Sequence, residues 1–336
     1  MPLDRSAERL LRMLAAAGAG GERTPEGRRR ALRALAEMAE TVPEGVVETL
    51  NLTIPGGSGP IPARLYTPAA RPREGGDPGF FPDPPSPTSK DLDPRLRGDE
   101  RENHAPAVVF FHGGGWVAGD LETHDGVCRR LALASGVKVV AVDYRLAPEH
   151  PFPAAVEDAL AAVRWTAEAG DAYGIDPARI VVAGDSAGAG LAAAVAQSSD
   201  APRIALQALI CPILNLAEAS ASRRDFAEGH FLDAATLAAD LADYAGAGAD
   251  LADPRLSPGL APSLAGAPPA LIVTAEFDPF RDEGEAYAGA LRAAGVPVRL
   301  TRHEGMIHYF YALTRLIPHG DLALAQLGAE IARALG

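Results

Sequence analysis

The sequence has few basic residues. Lys90 and Lys138 are its only lysines, and 31 basic residues stand against 44 acidic ones, for a formal net charge of -13. This balance argues against a nucleic-acid surface and against a basic membrane-binding face. We therefore expect neither a nucleic-acid partner nor stable membrane insertion.

Cysteine and long apolar runs are scarce as well. Cys128 and Cys211 are isolated from each other, which fits neither a disulfide framework nor a zinc site and is typical of a reducing compartment. The first apolar run, LLRMLAAAGAGG, is interrupted by Arg12 and is too short to span a bilayer. Acidic residues precede it where an export signal would be basic. The expected location is cytoplasmic.

From Ala105 onward, apolar runs of strand length alternate with helical patterns. APAVVFFH and VKVVAVDYR are nearly continuous apolar runs, as strands buried on both faces require. Further strand patterns are RIVVAG, IALQALICPI, ALIVTAEFD and VRLTRHEG, with helical patterns between most of them. Such alternation builds βαβ units. The sequence therefore predicts an α/β protein with a mostly parallel central sheet flanked by helices.

Three stretches depart from this alternation. Helical patterns without strands fill residues 4–40 and 216–262, which predicts a helical cap made of an N-terminal part, residues 1–45, and a second segment, residues 216–262. The α/β domain then covers residues 46–336. Residues 71–104 are rich in Pro, Gly, Asp and Arg without an apolar period, so we expect a disordered loop there. An inert insertion is favoured over a functional lid.

The segment GDSAG at 184–188 has the form G-x-S-x-G and stands between a strand and a helical pattern. This sharp turn exposes a nucleophilic serine, Ser186, and leaves the backbone N–H of Ala187 free at a helix N-terminus. An overlapping dinucleotide-like pattern, G-x-G-x-x-A from Gly188, lies within the helix and lacks the acidic residue that would bind a ribose. The segment therefore favours a serine nucleophile.

A serine needs a base, and the base needs an orienting carboxylate. Asp278 follows the strand ALIVTAEF, and His308 follows the strand VRLTRHEG. Strands of a parallel sheet end at the same edge, so Ser186, Asp278 and His308 are predicted to meet there. The competitors His303 and Glu276 lie inside strand patterns.

The decapeptide FFHGGGWVAG at 110–119 carries three consecutive glycines directly after a strand. A phosphate-binding loop would continue with Lys-Ser or Lys-Thr, whereas here Trp116 and Val117 follow. A flexible linker would not directly follow a buried strand. With a serine nucleophile at the same sheet edge, Gly114 and Gly115 are predicted to point bare backbone N–H groups at a developing oxyanion.

Five segments together resemble one known family. They are HGGGW at 112–116, YRLAPEHPFPAA at 144–155, GDSAG at 184–188, DPFRDE at 278–283 and GMIHYF at 305–310. The chain resembles the hormone-sensitive-lipase-like esterases (bacterial family IV) of the α/β-hydrolase superfamily over nearly its whole length, apart from about 71–104. One departure is Phe280, where the family often has Leu.

The resemblance implies an α/β-hydrolase fold and hydrolysis of carboxylic esters of short to medium acyl chains, without metal or cofactor. It implies Ser186, Asp278 and His308 as catalytic residues. It also implies an oxyanion hole formed by three backbone N–H groups, those of Gly114, Gly115 and Ala187.

The substrate pocket is less defined by the sequence. Trp116, Phe231 and Tyr309 are predicted as walls of a pocket for a small-molecule ester. An amidase or formamidase with the same triad stays open, as does a non-catalytic ligand receptor, although the presence of His308 argues against the receptor. A homodimer formed through the strand VRLTRHEG is also left open.

Overall fold

The computed structural model describes residues 2–16, 23–43, 45, 47–69 and 104–336. The insertion predicted at 71–104 lies outside the described residues except for His104. The strands are β1 Val47–Gly56, β2 Gly59–Pro68, β3 Ala105–Phe111, β4 Lys138–Val142, β5 Ile175–Asp185, β6 Leu206–Ile210, β7 Ala270–Phe277 and β8 Val298–Ile307. The α-helices are α1 Arg5–Ala16, α2 Pro25–Ala39, α3 Asp125–Ser135, α4 Ala154–Ala169, α5 Ala187–Gln197, α6 Ala221–Asp225, α7 Ala234–Ala245, α8 Arg281–Ala293 and α9 His319–Leu335.

The strands form one eight-stranded sheet in the order β1-β2-β4-β3-β5-β6-β7-β8. The hairpin β1–β2 and the pair β2–β4 are antiparallel, and every later pair is parallel. The later pairs are parallel because helices connect these strands and return the chain to the same end of the sheet. The predicted α/β architecture with a mostly parallel sheet is confirmed.

Both faces of the sheet are covered by helices. Side chains alternate along a strand, so Val109 and Phe111 of β3 pack on the face with α4, α5 and α8, whereas Val108 and Phe110 pack on the opposite face with α3 and α9. All four side chains are fully buried. The near-continuous apolar run of β3 is therefore a consequence of burial on two sides.

Local sequence accounts for several element boundaries. The Thr24 side chain accepts a hydrogen bond from Gly27 N–H at 3.1 Å, and Pro25 occupies the first position of α2. The strand β4 ends at Val142, three residues before the end predicted from the apolar run. Beyond it, Tyr144 O–H donates to His112 O (2.8 Å), and the backbone N–H of Arg145 donates to Asp158 Oδ2 (2.9 Å), so the chain leaves the sheet.

Helices lie in both segments predicted as a cap, α1 and α2 in residues 1–45 and α6 and α7 in residues 216–262. The α2 residue Arg29 donates to Val117 O at 2.8 Å and to Ala147 O at 3.0 Å, which fixes α2 on loops that follow β3 and β4. The division of the chain into cap and α/β domains stays a prediction. Over the residues that the structure describes, none of the helices has the length and apolar character needed to cross a bilayer.

Candidate active site

Ser186 occupies a strained turn between β5 and α5. Its φ and ψ are 53° and -118°, a backbone conformation that residues other than glycine rarely adopt. The flanking glycines make this turn sterically feasible. A Cβ atom at Gly188 would lie 2.0 Å from Phe111 O, and one at Gly184 would lie 2.5 Å from the carbonyl carbon of Gly188. The G-x-S-x-G spacing thus reflects the close approach of β3, β5 and α5.

Ser186, His308 and Asp278 form a chain of hydrogen bonds. Ser186 Oγ donates to His308 Nε2 at 3.0 Å, and His308 Nδ1 donates to Asp278 Oδ2 at 2.8 Å. The other carboxylate oxygen, Asp278 Oδ1, accepts from Phe280 N–H at 2.8 Å. All three side chains are buried. The arrangement gives a hydroxyl, a base that can take its proton, and a carboxylate that fixes the tautomer of the base.

The two competing residues lie elsewhere. His303 Nδ1 is 2.9 Å from His319 Nε2, and burial lowers the pKa of His303 to about 4. Glu276 Oε2 accepts from Gly305 N–H at 2.7 Å. Neither of these two side chains takes part in the hydrogen bonds of Ser186.

Cys211 lies beside Asp278 and His308, and the three side chains together are of the types that bind metal ions. One donor atom of each of the three lies within 4.8 Å of the others, and all three residues are buried. The carboxylate and imidazole, however, are bonded to each other. Burial raises the pKa of the Cys211 thiol, so this residue presents a neutral thiol rather than a thiolate ligand.

The glycine run after β3 folds back over Ser186. Gly114 and Gly115 have φ values of 122° and 66°, and both residues line the same cavity as Ser186 and His308. The first glycine is engaged differently, since Gly113 N–H donates to Asp185 Oδ1 at 2.9 Å. The backbone N–H groups of Gly114 and Gly115 stay the predicted donors of the loop to an oxyanion.

Asp185 is a residue of the site that sequence reasoning missed. Besides Gly113, it accepts a hydrogen bond from Tyr311 O–H at 2.8 Å, and His124 Nε2 lies 3.4 Å from its Oδ1. Burial raises the pKa of Asp185, but His124 and the hydrogen bonds outweigh that effect, so the pKa lies below its ordinary value. An acidic residue inside the buried G-x-S-x-G turn was the available signal.

His112 also contacts the glycine loop. Its Nδ1 donates to Gly113 O at 2.8 Å, and its ring stacks on Tyr144 with centroids 4.3 Å apart. Burial lowers the pKa of His112 to about 4, so the imidazole is neutral near pH 7. The structure thus places His112 in contact with the loop and not with Ser186.

A cavity of about 280 Å³ opens above Ser186 and His308. Its apolar wall comes from α1, α2, α7 and nearby loops: Leu14, Ala31, Leu32, Leu35, Ala118, Ile213, Phe231, Leu232, Leu237 and Tyr309. Four charged residues also line it, Arg23, Arg28, Asp233 and Asp240. These charged residues were not predicted as part of the site, because they come together only when α2 meets α7.

The three predicted pocket residues differ in position. Phe231 and Tyr309 line the cavity, and their rings stack with centroids 5.7 Å apart. Trp116 does not line it. Its ring stacks on Tyr244 at 4.2 Å and faces a small adjoining cavity of about 30 Å³. Gly115 and Leu237 line both cavities, so Trp116 as a wall of the substrate pocket stays a prediction.

The family follows from a match of residues 108–312 to the model of a family described by its alpha/beta hydrolase fold. The chain belongs to this family. The resemblance to hormone-sensitive-lipase-like esterases drawn from the five sequence segments is confirmed.

Individual relatives are esterases by name. Esterase LipI of Mycobacterium tuberculosis is 41% identical, over 81% of this chain and 78% of its own length. Ethyl acetate hydrolase of Pseudomonas putida is 40% identical, over 70% of this chain and 73% of its own. Among solved structures, the ester-hydrolase EH1AB1 from the metagenome of Lake Arreo, complexed with a bipyridine phosphonate derivative, has a TM-score of 0.86 at 36% identity and covers 98% of both chains.

Proposed function

We propose that the protein is a serine carboxylesterase that hydrolyses small esters of short to medium acyl chains through an acyl-enzyme. The observation that carries this proposal is the hydrogen-bonded chain Ser186–His308–Asp278, which ends in an apolar cavity lined by Gly114 and Gly115. Together these groups supply a nucleophile, a base and a place for an oxyanion.

In the first step, Ser186 Oγ attacks the ester carbonyl carbon while His308 Nε2 takes the hydroxyl proton. The hydrogen bond of 3.0 Å between the two atoms is short enough for this transfer. Asp278 holds Nδ1–H of the imidazole and stabilises the cation that forms. His308 then returns the proton to the leaving alcohol, which leaves the acyl group on Ser186.

The carbonyl oxygen becomes an oxyanion during the attack. We assign its stabilisation to the backbone N–H groups of Gly114, Gly115 and Ala187. Ala187 is the first residue of α5, where the N–H groups of a helix have no intrahelical partners. Donors of this kind are worth about 3–4 kcal/mol each, because they are in place before the charge develops.

In the second step, water is the nucleophile, and His308 again takes a proton and returns it. His308 takes a proton from the water that attacks the acyl-enzyme carbonyl, and it returns that proton to Ser186 Oγ as the carboxylic acid leaves. No group other than the side chains and N–H groups already named is needed for either half-reaction.

The size and polarity of the cavity favour small esters. Its volume of about 280 Å³ is just below the usual range of ligand pockets, and most of the lining is aliphatic or aromatic. A relative that covers most of this chain is named for hydrolysis of ethyl acetate. The amidase and receptor alternatives find no such support among the named relatives.

We also propose a cytoplasmic location and a homodimer. Both cysteines are buried and unpaired, as is usual in a reducing compartment. The strand β8 is last in the sheet, where a second copy could add its own β8 by edge pairing. Analytical ultracentrifugation should then give the mass of a dimer, and a monomer at micromolar concentration would contradict this part of the proposal.

The nucleophile is tested by replacing Ser186 with Ala and measuring hydrolysis of 4-nitrophenyl butyrate beside the matched 4-nitroanilide. The wild type should prefer the ester, and Ser186→Ala should lose at least about 10⁴-fold in kcat, as loss of such a nucleophile does. Labelling by a phosphonate ester, followed by peptide mass mapping, should place the adduct on Ser186.

A matched control is Ser257→Ala. Ser257 is also a buried serine, but its hydroxyl donates to Leu251 O, and Ser257 does not line the cavity. This variant should keep its kcat while it loses stability. Turnover by Ser186→Ala close to that of the wild type would refute the proposed mechanism.

A further inference from the structure

A buried ion pair joins the two helices above the cavity. Arg28 on α2 pairs with Asp240 on α7, and their side chains are only 16% and 6% exposed. Both residues line the cavity that contains Ser186. The cost of burial lowers the pKa of Arg28 from its ordinary value, which still leaves a guanidinium charged near neutral pH.

The carboxylate of Asp240 also contacts the glycine loop. A Cβ atom at Gly115 would lie 2.2 Å from Asp240 Oδ2, so this oxygen packs directly against the Gly115 Cα atom. Gly115 is one of the proposed oxyanion donors. A negative charge is therefore fixed beside the place where a second negative charge develops during the reaction.

Two unit negative charges in such a poorly solvated place repel each other strongly. The carboxylate at the other end of the loop, Asp185, is compensated by His124 and Tyr311. The corresponding partner of Asp240 is Arg28, which comes from a distant part of the chain.

We propose that Arg28 is a positioning residue for ester hydrolysis, which neutralises Asp240 and so prevents this carboxylate from opposing the oxyanion beside Gly115. The inference rests on the proposed function. It adds that the reaction rate depends on α2, because only when α2 lies against α7 is the charge next to the oxyanion loop compensated.

The alternative is that Arg28 merely holds α2 in place. Other contacts already do so. Arg29 bonds to Val117 O, and Arg33 on the same helix pairs with Asp120 at 2.7 Å. The Arg33 side chain is 64% exposed and does not line the cavity above Ser186. Arg33→Leu is therefore a matched control that removes an α2 ion pair without uncovering a charge at Gly115.

The test compares Arg28→Leu, Arg28→Lys, Asp240→Asn and the double variant Arg28→Leu/Asp240→Asn, each with 4-nitrophenyl butyrate at saturating concentration. Arg28→Leu should lower kcat by about 10- to 100-fold through the uncompensated charge. Arg28→Lys should restore much of the loss. The double variant should recover most of kcat, although it lacks the ion pair altogether, and Arg33→Leu should keep the wild-type kcat because exposed ion pairs contribute little.

Three outcomes overturn the proposal: a wild-type kcat in Arg28→Leu, a double variant as slow as Arg28→Leu, or a change confined to KM. Each would show that kcat does not depend on compensation of the Asp240 charge by Arg28. If Arg28→Leu does not fold, Arg28→Gln in the wild-type and Asp240→Asn backgrounds makes the same comparison. Retained turnover in Ser186→Ala would instead remove the proposed mechanism itself, whatever the Arg28 variants do.

Discussion

The carboxyl edge of the sheet and the helices above it both contribute to the cavity at Ser186, but through different kinds of contact. At the sheet edge, Ser186 and Asp278 follow directly on β5 and β7, and their hydrogen bonds are short and buried. The helices α2 and α7 contribute mainly apolar side chains and the ion pair of Arg28 with Asp240. One region is built from buried hydrogen bonds, and the other is built mainly from apolar side chains.

This difference indicates which kinetic parameter each region controls. Backbone strain and buried hydrogen bonds at the sheet edge leave little freedom, since Ser186 and the loop residue Trp116 both have positive φ values. Changes there should act on kcat. An apolar wall tolerates changes of volume, so substitutions of apolar residues in the helical layer and its loops should act mainly on which ester is preferred, whereas the charged Arg28 should act on kcat.

The largest effect in this comparison is expected for Gly114→Ala. The residue has a φ of 122°, and a Cβ atom would lie 2.3 Å from Ala118 O, so the loop must shift. If the N–H groups of this loop bind the oxyanion, kcat for 4-nitrophenyl butyrate should fall by about 10²- to 10³-fold with little change in KM.

Gly136→Ala is the control for backbone strain alone. Gly136 ends α3 with a φ of 69°, and no atom would lie within 4 Å of an added Cβ. This variant should lose about 1–2 kcal/mol of unfolding free energy, measured by urea denaturation, and keep its kcat. Unchanged turnover in Gly114→Ala would remove the oxyanion role from the loop.

A smaller effect is expected for Phe231→Ala in the wall of the cavity. Removal of the ring that stacks on Tyr309 should enlarge the space above Ser186. The ratio of kcat/KM for 4-nitrophenyl octanoate to that for the acetate should rise by roughly tenfold, as pocket changes of a few methylene volumes usually produce.

Phe226→Ala provides the comparison for this variant. Phe226 packs on Phe277, with ring centroids 5.6 Å apart, and does not line the cavity. Its loss should leave the acyl-chain profile unchanged. Equal profiles for Phe231→Ala and the wild type would place the acyl group elsewhere.

The sheet edge was the more predictable region. The Ser186 turn, the Asp278 turn and the glycine loop each have a short sequence motif directly after an apolar strand. Because parallel strands end at the same edge of the sheet, these motifs were expected to lie close together. The structure brings these residues together as the sequence suggested. Their catalytic roles stay predictions that the variants above test.

The contacts missed by the sequence analysis join residues that are distant in the chain. Asp185 was visible as a motif residue, but its pairing with His124 and Tyr311 was not. The stacking of Trp116 on Tyr244 was not visible either, because the Tyr244 ring is supplied by α7.

The sequence by itself determined the family, the order of strands and helices, and the positions of Ser186, Asp278 and His308 directly after strands, because each depends on neighbouring residues. The tertiary structure decided the size of the cavity and the charges around the glycine loop. The Arg28–Asp240 pair exists only once α2 and α7 pack over the same strand ends. No local pattern encodes such a pair, since its energy depends on burial and on the distance between two separate helices.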